Sequence, residues 1–239
     1  ALALVSGGKD SCYAMMLAMA HGHELVGLAT LTPHHASPAT DDRPDVSSPS
    51  PADGAPPAGD ASLAALELDS QCSQTAGTTH ARHIARSIGL PYFDAPTHAR
   101  AACTALDYEP AAGDEVEELL RLVEAAGAAA SFDAVVSGAI FSDYQRTRVE
   151  SVCERLGLTS LAPLWRRPQH ELLSEMVSAG LDAVVVKVAS LGLERCHVGR
   201  SVGELAPHCE ELAARFGFHE CGEGGEYETL TRNCPLFVG

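Results

Sequence analysis

Hydrophobic and polar positions alternate along this chain in blocks that predict strands and helices in turn. Leu2 to Val5 is a short continuous apolar run, the pattern of a strand buried on both faces. Asp10 and Ser11 then open an amphipathic stretch, Cys12 to Ala20, predicted as a helix, and Leu25 to Ala29 fits a second parallel strand. Thr78 to Leu90 carries Ala81, Ile84, Ala85 and Ile88 at helical spacing, with Gly89 and Pro91 as stop signals. Tyr92-Phe93 begins a strand, Asp114 to Ala130 reads as a helix, Phe132 to Ile140 as a buried strand, and Asp143 to Leu156 as a helix. Beyond these, Pro168 to Ala179 and Val202 to Phe216 read as helices and the β-branched run Leu181 to Ala189 as a strand. This alternation predicts an α/β fold with a doubly wound parallel sheet. One block breaks the pattern. Pro33 to Ser62 is rich in Pro, Ala, Ser, Asp and Gly and nearly free of large apolar side chains, so it is expected to be a disordered insertion. Its pair His34-His35 reads as solvated linker rather than metal ligand.

Composition narrows the function. The 239 residues are 46% hydrophobic, enough for one large or two unequal domains, and contain no apolar run long enough to span a membrane. A formal net charge of −16 argues against direct binding of nucleic acid. The eight cysteines include no C-x-x-C pair, which argues against a zinc ribbon or a sulfur-transfer pair and fits buried free thiols of a cytoplasmic protein. No signal-peptide pattern is visible. The histidines show no compact metal-ligand spacing.

Candidate chemistry sits at the two ends of the chain. Ser6-Gly7-Gly8-Lys9-Asp10-Ser11 follows the first strand and leads into the first helix, so free amides, the helix dipole and the Lys9 ammonium converge on one spot. That is a site for phosphate or pyrophosphate. It is neither a Walker A loop nor a G-x-G-x-x-G loop. Asp10 is a candidate Mg²⁺ ligand, with helix N-capping as its plain alternative. Ala29 and Leu31, at the carboxyl end of the second strand, lie on the same sheet edge and are expected at the adenine. Gly138 ends a strand where a ligand would need close backbone approach. Arg146, Arg148 and Arg155 place positive charge on the helix that follows, either as a solvated face or as an arginine near the phosphates. Near the other end, Gly222-Glu223-Gly224-Gly225-Glu226-Tyr227-Glu228-Thr229 sets three carboxylates and a tyrosine among three glycines. It reads as an exposed acidic turn before a closing strand, or as a cation or substrate site.

The Ser6–Ser11 string resembles the pyrophosphate loop of N-type ATP pyrophosphatases. Taken with Glu67-Leu68-Asp69-Ser70, Ser137-Gly138-Ala139-Ile140, Ser142-Asp143-Tyr144-Gln145-Arg146, Leu164-Trp165 and Glu223 to Thr229 in that order, the chain resembles the diphthine–ammonia ligases. Two features depart from that family: the long insertion at 33–64, and Gln71-Cys72-Ser73 where a tyrosine-containing stretch is expected. The resemblance implies a Rossmann-like nucleotide domain, set here at residues 1–140, and a smaller C-terminal substrate-binding domain at 141–239, with the active site between them. It implies that ATP and Mg²⁺ are used to amidate the diphthine carboxylate on translation elongation factor 2 with ammonium, through an acyl-adenylate, releasing AMP and pyrophosphate. Under it, Ser6, Gly7, Gly8, Lys9, Asp10, Ser11, Ala29, Leu31 and Gly138 are expected to hold ATP. Glu223, Gly224, Gly225, Glu226, Tyr227, Glu228, Thr229 and Asp143 are expected to hold the substrate. Lys9, Asp10 and Glu226 are expected to take part in catalysis. Glu223, Glu226, Glu228 and Tyr227 are candidates to offer the trimethylammonium group charge attraction and a ring face, with deprotonation of ammonium by one of these glutamates, not assigned to a single residue by the sequence, as the competing role. Two other readings share the loop: a different adenylating ATP pyrophosphatase acting on a small carboxylate or a tRNA base, and a non-enzymatic regulator that senses ATP.

Overall fold

A computed structural model describes residues 1–33, 80–97, 103, 105 and 108–238. The insertion at 33–64, apart from Pro33, and the strings at 67–73 lie outside the described residues, as does His34-His35. Five strands form one parallel sheet: β1 Leu2–Leu4, β2 Gly27–Pro33, β3 Tyr92–Thr97, β4 Ala134–Val136 and β5 Thr159–Leu161, in the order β3-β2-β1-β4-β5. The helices between them are α1 Lys9–Ala20, α2 Ala81–Ile88, α3 Glu115–Ala129 and α4 Asp143–Leu156. Side chains on the strands alternate between two cores. Ala3, Leu28 and Val136 pack with α1 and α2, and Leu2, Ala29 and Val135 with α3 and α4. Burial on both faces is why these strands read as unbroken apolar runs. The sheet continues past residue 140, with α4 and β5 completing it.

The chain order reverses direction at β1 and β4, so the loops after these two strands lead away from one another and leave a crevice at the carboxyl edge. Helix ends beside the crevice carry conventional signals. Ser142 caps α4 by accepting from the Gln145 amide, and Asp114 caps α3 by accepting from the Val116 amide. The remainder of the chain forms α5 Gln169–Ser178, β6 Asp182–Val188, α6 Val202–Phe216 and β7 Tyr227–Asn233, with β6 and β7 paired antiparallel in a second sheet. A Ser201–Glu204 capping box starts α6, and Gly217 ends it in the left-handed region at φ 69°. Leu172, Leu173, Met176, Val185, Val202, Leu205 and Tyr227 extend the same apolar core that holds α1.

That shared core corrects the expectation for α1. The helix starts at Lys9, three residues earlier than the apolar pattern predicts, and Gly8 rather than Asp10 is its N-cap. It is not amphipathic: Ser11, Cys12, Tyr13, Ala14, Met15 and Ala18 are all buried, because the sheet covers one side and β7 packs against another. The predicted strand at 132–140 is confined to Ala134–Val136, leaving Ser137 to Ile140 as the loop that reaches the crevice. Pro168 stands just before α5 rather than inside its first turn.

Among the described residues no helix is long and apolar enough to cross a membrane, and no group of three or more His, Cys, Asp or Glu is placed to hold a metal ion. Among the described residues the cysteines form no disulfide with one another. Burial pushes the thiols of Cys12 and Cys221 up to about 12 and those of Cys153 and Cys209 up to about 11. An unfolded thiol ionises near pH 9, so between pH 9 and these raised values the folded chain holds protons that the unfolded chain has lost. Stability should therefore be full below pH 9 and fall above it, on the order of 1 kcal/mol per pH unit for each fully buried thiol. Urea midpoints measured from pH 7 to 11 check this.

Candidate active site

Val5 follows β1, with its carbonyl accepting from the Thr30 hydroxyl at 2.6 Å, and the chain turns into α1 through Gly7 at φ 95°. The C-terminal strand then closes over this turn. The Thr231 amide donates to the Gly7 carbonyl at 2.9 Å, and the Lys9 amide donates to Thr229 Oγ1 at 3.1 Å. Strand alternation places Tyr227, Thr229 and Thr231 on the inward face of β7, so the glycine-rich tail and the first loop meet.

Lys9 is only 2% exposed, and its environment is built for a charge. Nζ donates to Asp10 Oδ2 at 3.0 Å and to the Cys221 carbonyl at 2.5 Å, and it lies 5.0 Å from the centre of the Tyr227 ring. An ammonium has three protons, so two fixed partners leave one to aim at a ligand. Burial on its own would pull Lys9 down, but Asp10, Cys221 and Glu223 outweigh it and hold the group above the ordinary lysine value. Burial pushes the Asp10 carboxyl up against the pull of Lys9, and Glu223 pushes it further. One ammonium thus serves two neighbouring carboxylates. Asp10 Oδ1 is buried and has no hydrogen-bond partner. A lone carboxylate oxygen beside the loop expected to hold phosphate would suit Mg²⁺, which takes one or two carboxylates and completes its shell with phosphate oxygens and water.

Around this pair lies a cavity of about 490 Å³, within the size range of small-molecule sites. Of the residues expected to hold ATP, Ser6, Lys9, Asp10, Ser11, Ala29, Leu31 and Gly138 line it. Gly7 and Gly8 stand behind them as buried turn residues. Gly138 lies directly against the helix start: a Cβ built there would meet the Ser11 nitrogen at 2.8 Å and the Asp10 carbonyl carbon at 2.9 Å.

The tail residues divide. Glu223, Gly224, Gly225, Tyr227, Glu228 and Thr229 line the cavity. Tyr227 does not offer a free ring to a substrate cation, however. It is buried, its hydroxyl donates to the Glu220 carbonyl at 2.6 Å, and its face is taken by Lys9. Glu226 is not brought to the cavity wall. Its Oε1 accepts from the His219 amide at 3.1 Å and its Oε2 is buried without a partner, so it shapes the turn. Asp143 also stays outside, 3.7 Å from Arg146 and 3.9 Å from Arg166. The three arginines of α4 separate as well. Arg155 pairs with Glu117 at 2.7 Å, Arg146 stacks on Trp165, and Arg148 is fully buried against the cavity. Arg148 donates to the Cys103, Ala105 and Tyr144 carbonyls, while its Nε has no partner.

Several lining residues carry no signal of their own in the sequence. Thr30, Glu115 and Ser137 are ordinary polar residues on predicted elements. Cys221 contributes a carbonyl, which any residue type would supply. Gln169, on α5, accepts from the neighbouring Glu220 amide at 2.6 Å with its Oε1. The burial that raises the Cys12 and Cys221 thiols also makes them poor nucleophiles. Alkylation under native conditions should modify the exposed Cys196, spare Cys12 and Cys221, and leave activity intact; peptide mapping beside an activity assay checks this.

Comparison with known proteins agrees along the chain. Residues 82–160 match the family described as "Diphthamide synthase N-terminal domain" and residues 168–238 match "Diphthamide synthase C-terminal domain". The chain is 42% identical over 236 residues to a diphthine–ammonia ligase of Rattus norvegicus, covering 98% of this chain and 79% of the relative. It is 43% identical over 235 residues to that of Danio rerio, covering 98% and 82%. With the protein of that name from Schizosaccharomyces pombe the identity is 40% over 237 residues, 99% of this chain but 34% of the relative.

Proposed function

The chain belongs to the diphthine–ammonia ligase family, and on that premise we propose that it uses ATP to convert the diphthine carboxylate of translation elongation factor 2 into an amide with ammonium. In this reading a carboxylate oxygen attacks the α-phosphorus and pyrophosphate leaves. Ammonia then attacks the activated carbonyl carbon, and AMP leaves with the carboxylate oxygen it gained. Activation is needed because a carboxylate is a poor electrophile. The observation that carries the reading is the enclosed Lys9–Asp10 pair at the mouth of the Ser6–Ser11 loop, on the floor of a cavity shared by the sheet edge and the tail.

The residues divide the work by position. The amides at the start of α1 and the remaining Lys9 proton receive the charge that builds on the departing pyrophosphate. Asp10 is the residue that would hold Mg²⁺, which when bound neutralises phosphate charge. Ala29 and Leu31, at the carboxyl end of β2, are assigned to the adenine side. Glu228, Gly224 and Gly225, on the tail, are assigned to the side where the protein substrate enters. Residues 1–161 then carry the nucleotide site and residues 168–238 the covering unit, in place of the boundary at 140 expected from the sequence.

An isotope experiment tests the sequence of steps. With both diphthine carboxylate oxygens labelled as ¹⁸O, one label should appear in the phosphate of AMP and the other stay in the amide. Unlabelled AMP formed together with amide would rule out the acyl-adenylate.

A further inference from the structure

Glu223 stands in the tail motif, where its charge invites the reading of a substrate contact, but its geometry is that of a clasp. Its Oε1 accepts three successive backbone amides, from Ile140 at 2.9 Å, Phe141 at 3.1 Å and Ser142 at 3.2 Å. These amides belong to the loop between β4 and α4. Phe141, in the middle of the three, is 64% exposed, so its side chain does nothing to bury this loop.

Three of the segments that line the cavity, the first loop, the β4 exit and the tail, are joined pairwise. The first loop is tied to the tail by Lys9 on the Cys221 carbonyl, the Lys9 amide on Thr229 and the Thr231 amide on Gly7. The first loop meets the β4 exit where Gly138 lies against Asp10 and Ser11. The tail is joined to the β4 exit by Glu223. The loop is gripped from its carbonyl side too, since the Arg166 amide donates to the Ile140 carbonyl at 2.7 Å with Arg166 held at φ 54°, a conformation that costs a non-glycine residue energy.

We propose that Glu223 is a positioning residue which, by accepting the Ile140, Phe141 and Ser142 amides, closes the ring of three segments and fixes the cavity in its nucleotide-binding shape. This rests on the ligase reading only for the choice of assay. What the clasp requires first is an acceptor oxygen at the right reach; the carboxylate charge strengthens the three bonds and also faces Lys9 and Asp10. Glutamine keeps both the reach and the acceptor. Aspartate keeps the charge but is one methylene short.

The test compares Glu223→Gln, Glu223→Asp and Glu223→Ala with the parent chain. Hydrogen exchange at the Ile140–Ser142 amides reads the clasp, calorimetry with a non-hydrolysable ATP analogue reads the cavity, and KM and kcat with the diphthine-bearing protein read turnover. Expected are near-parental protection and analogue affinity within about threefold in Glu223→Gln. Glu223→Asp and Glu223→Ala should show exchange faster by tenfold or more and an analogue affinity weaker by tenfold or more. If Glu223→Ala does not fold, the Gln and Asp variants still decide. The proposal is overturned if Glu223→Asp matches the parent while Glu223→Gln does not, or if Glu223→Gln raises KM for the protein substrate with exchange and analogue affinity unchanged. A parent chain that forms no AMP would remove the ligase reading while leaving the exchange and binding results to judge the clasp.

Discussion

Replacing Lys9 with alanine is expected to lower kcat for amidation on the order of 10³-fold, the loss seen when a preorganised group facing transition-state charge is removed. Affinity for ATP should weaken less than kcat falls, because the charge on the leaving pyrophosphate grows as the α–β bond breaks. Lys9→Arg should not rescue. Lys9 is 2% exposed, with the Cys221 carbonyl, Asp10 and the Tyr227 ring already in contact, and a guanidinium is both wider and longer. Single-turnover kinetics with the alanine and arginine variants, beside thermal unfolding to follow the fold, separates lost chemistry from lost structure. A kcat within tenfold of the parent in Lys9→Ala would remove the residue from the chemical step.

Gly138→Ala is expected to be almost as damaging although it adds one methyl group. The new Cβ would lie 2.8 Å from the Ser11 nitrogen and 2.9 Å from the Asp10 carbonyl carbon. Both are backbone atoms of the first turn of α1, so no rotamer change relieves the contact, and either the helix start or the β4 exit must shift. Overpacking of this kind costs about 1–3 kcal/mol. The shift falls on the amides assigned to the phosphates, so ATP affinity should drop more than tenfold. Gly127→Ala is the control, because a Cβ there meets nothing nearer than 3.8 Å. Calorimetric titration of both variants checks the pair. Parental affinity in Gly138→Ala would mean that the helix start has more freedom than its packing indicates.

These two residues also mark what the sequence could disclose. A strand, a glycine turn, a lysine and a helix start lie together in ten residues, so local physics was enough to propose a phosphate site at Ser6–Ser11. The parallel sheet was legible for the same reason, since burial on both faces writes itself into each strand as an apolar run. Direction was not legible. Lys9 is held by Cys221 and Thr229, more than two hundred residues away, and no local pattern announces a backbone carbonyl as a partner. The full burial of α1 comes from a C-terminal unit whose arrival its own residues do not encode. The tail motif could have been read further. With β7 starting at Tyr227, period-two alternation turns Tyr227 and Thr229 inward and separates them from Glu226 and Glu228. The acids at 223, 226 and 228 therefore have three different fates rather than one shared role. Glu223 clasps amides, Glu226 holds the His219 amide, and Glu228 reaches Lys187 at 3.4 Å.

The central claim is an AMP-forming ligation that needs both the diphthine carboxylate and ammonium. Its most direct test is product analysis with the purified chain, ATP, Mg²⁺, ammonium and diphthine-bearing elongation factor 2, omitting one component at a time. Expected are AMP and pyrophosphate in equal amounts with amide, and loss of the amide when the protein substrate or ammonium is withheld. Formation of ADP, or release of AMP at the same rate without the protein substrate, would contradict it.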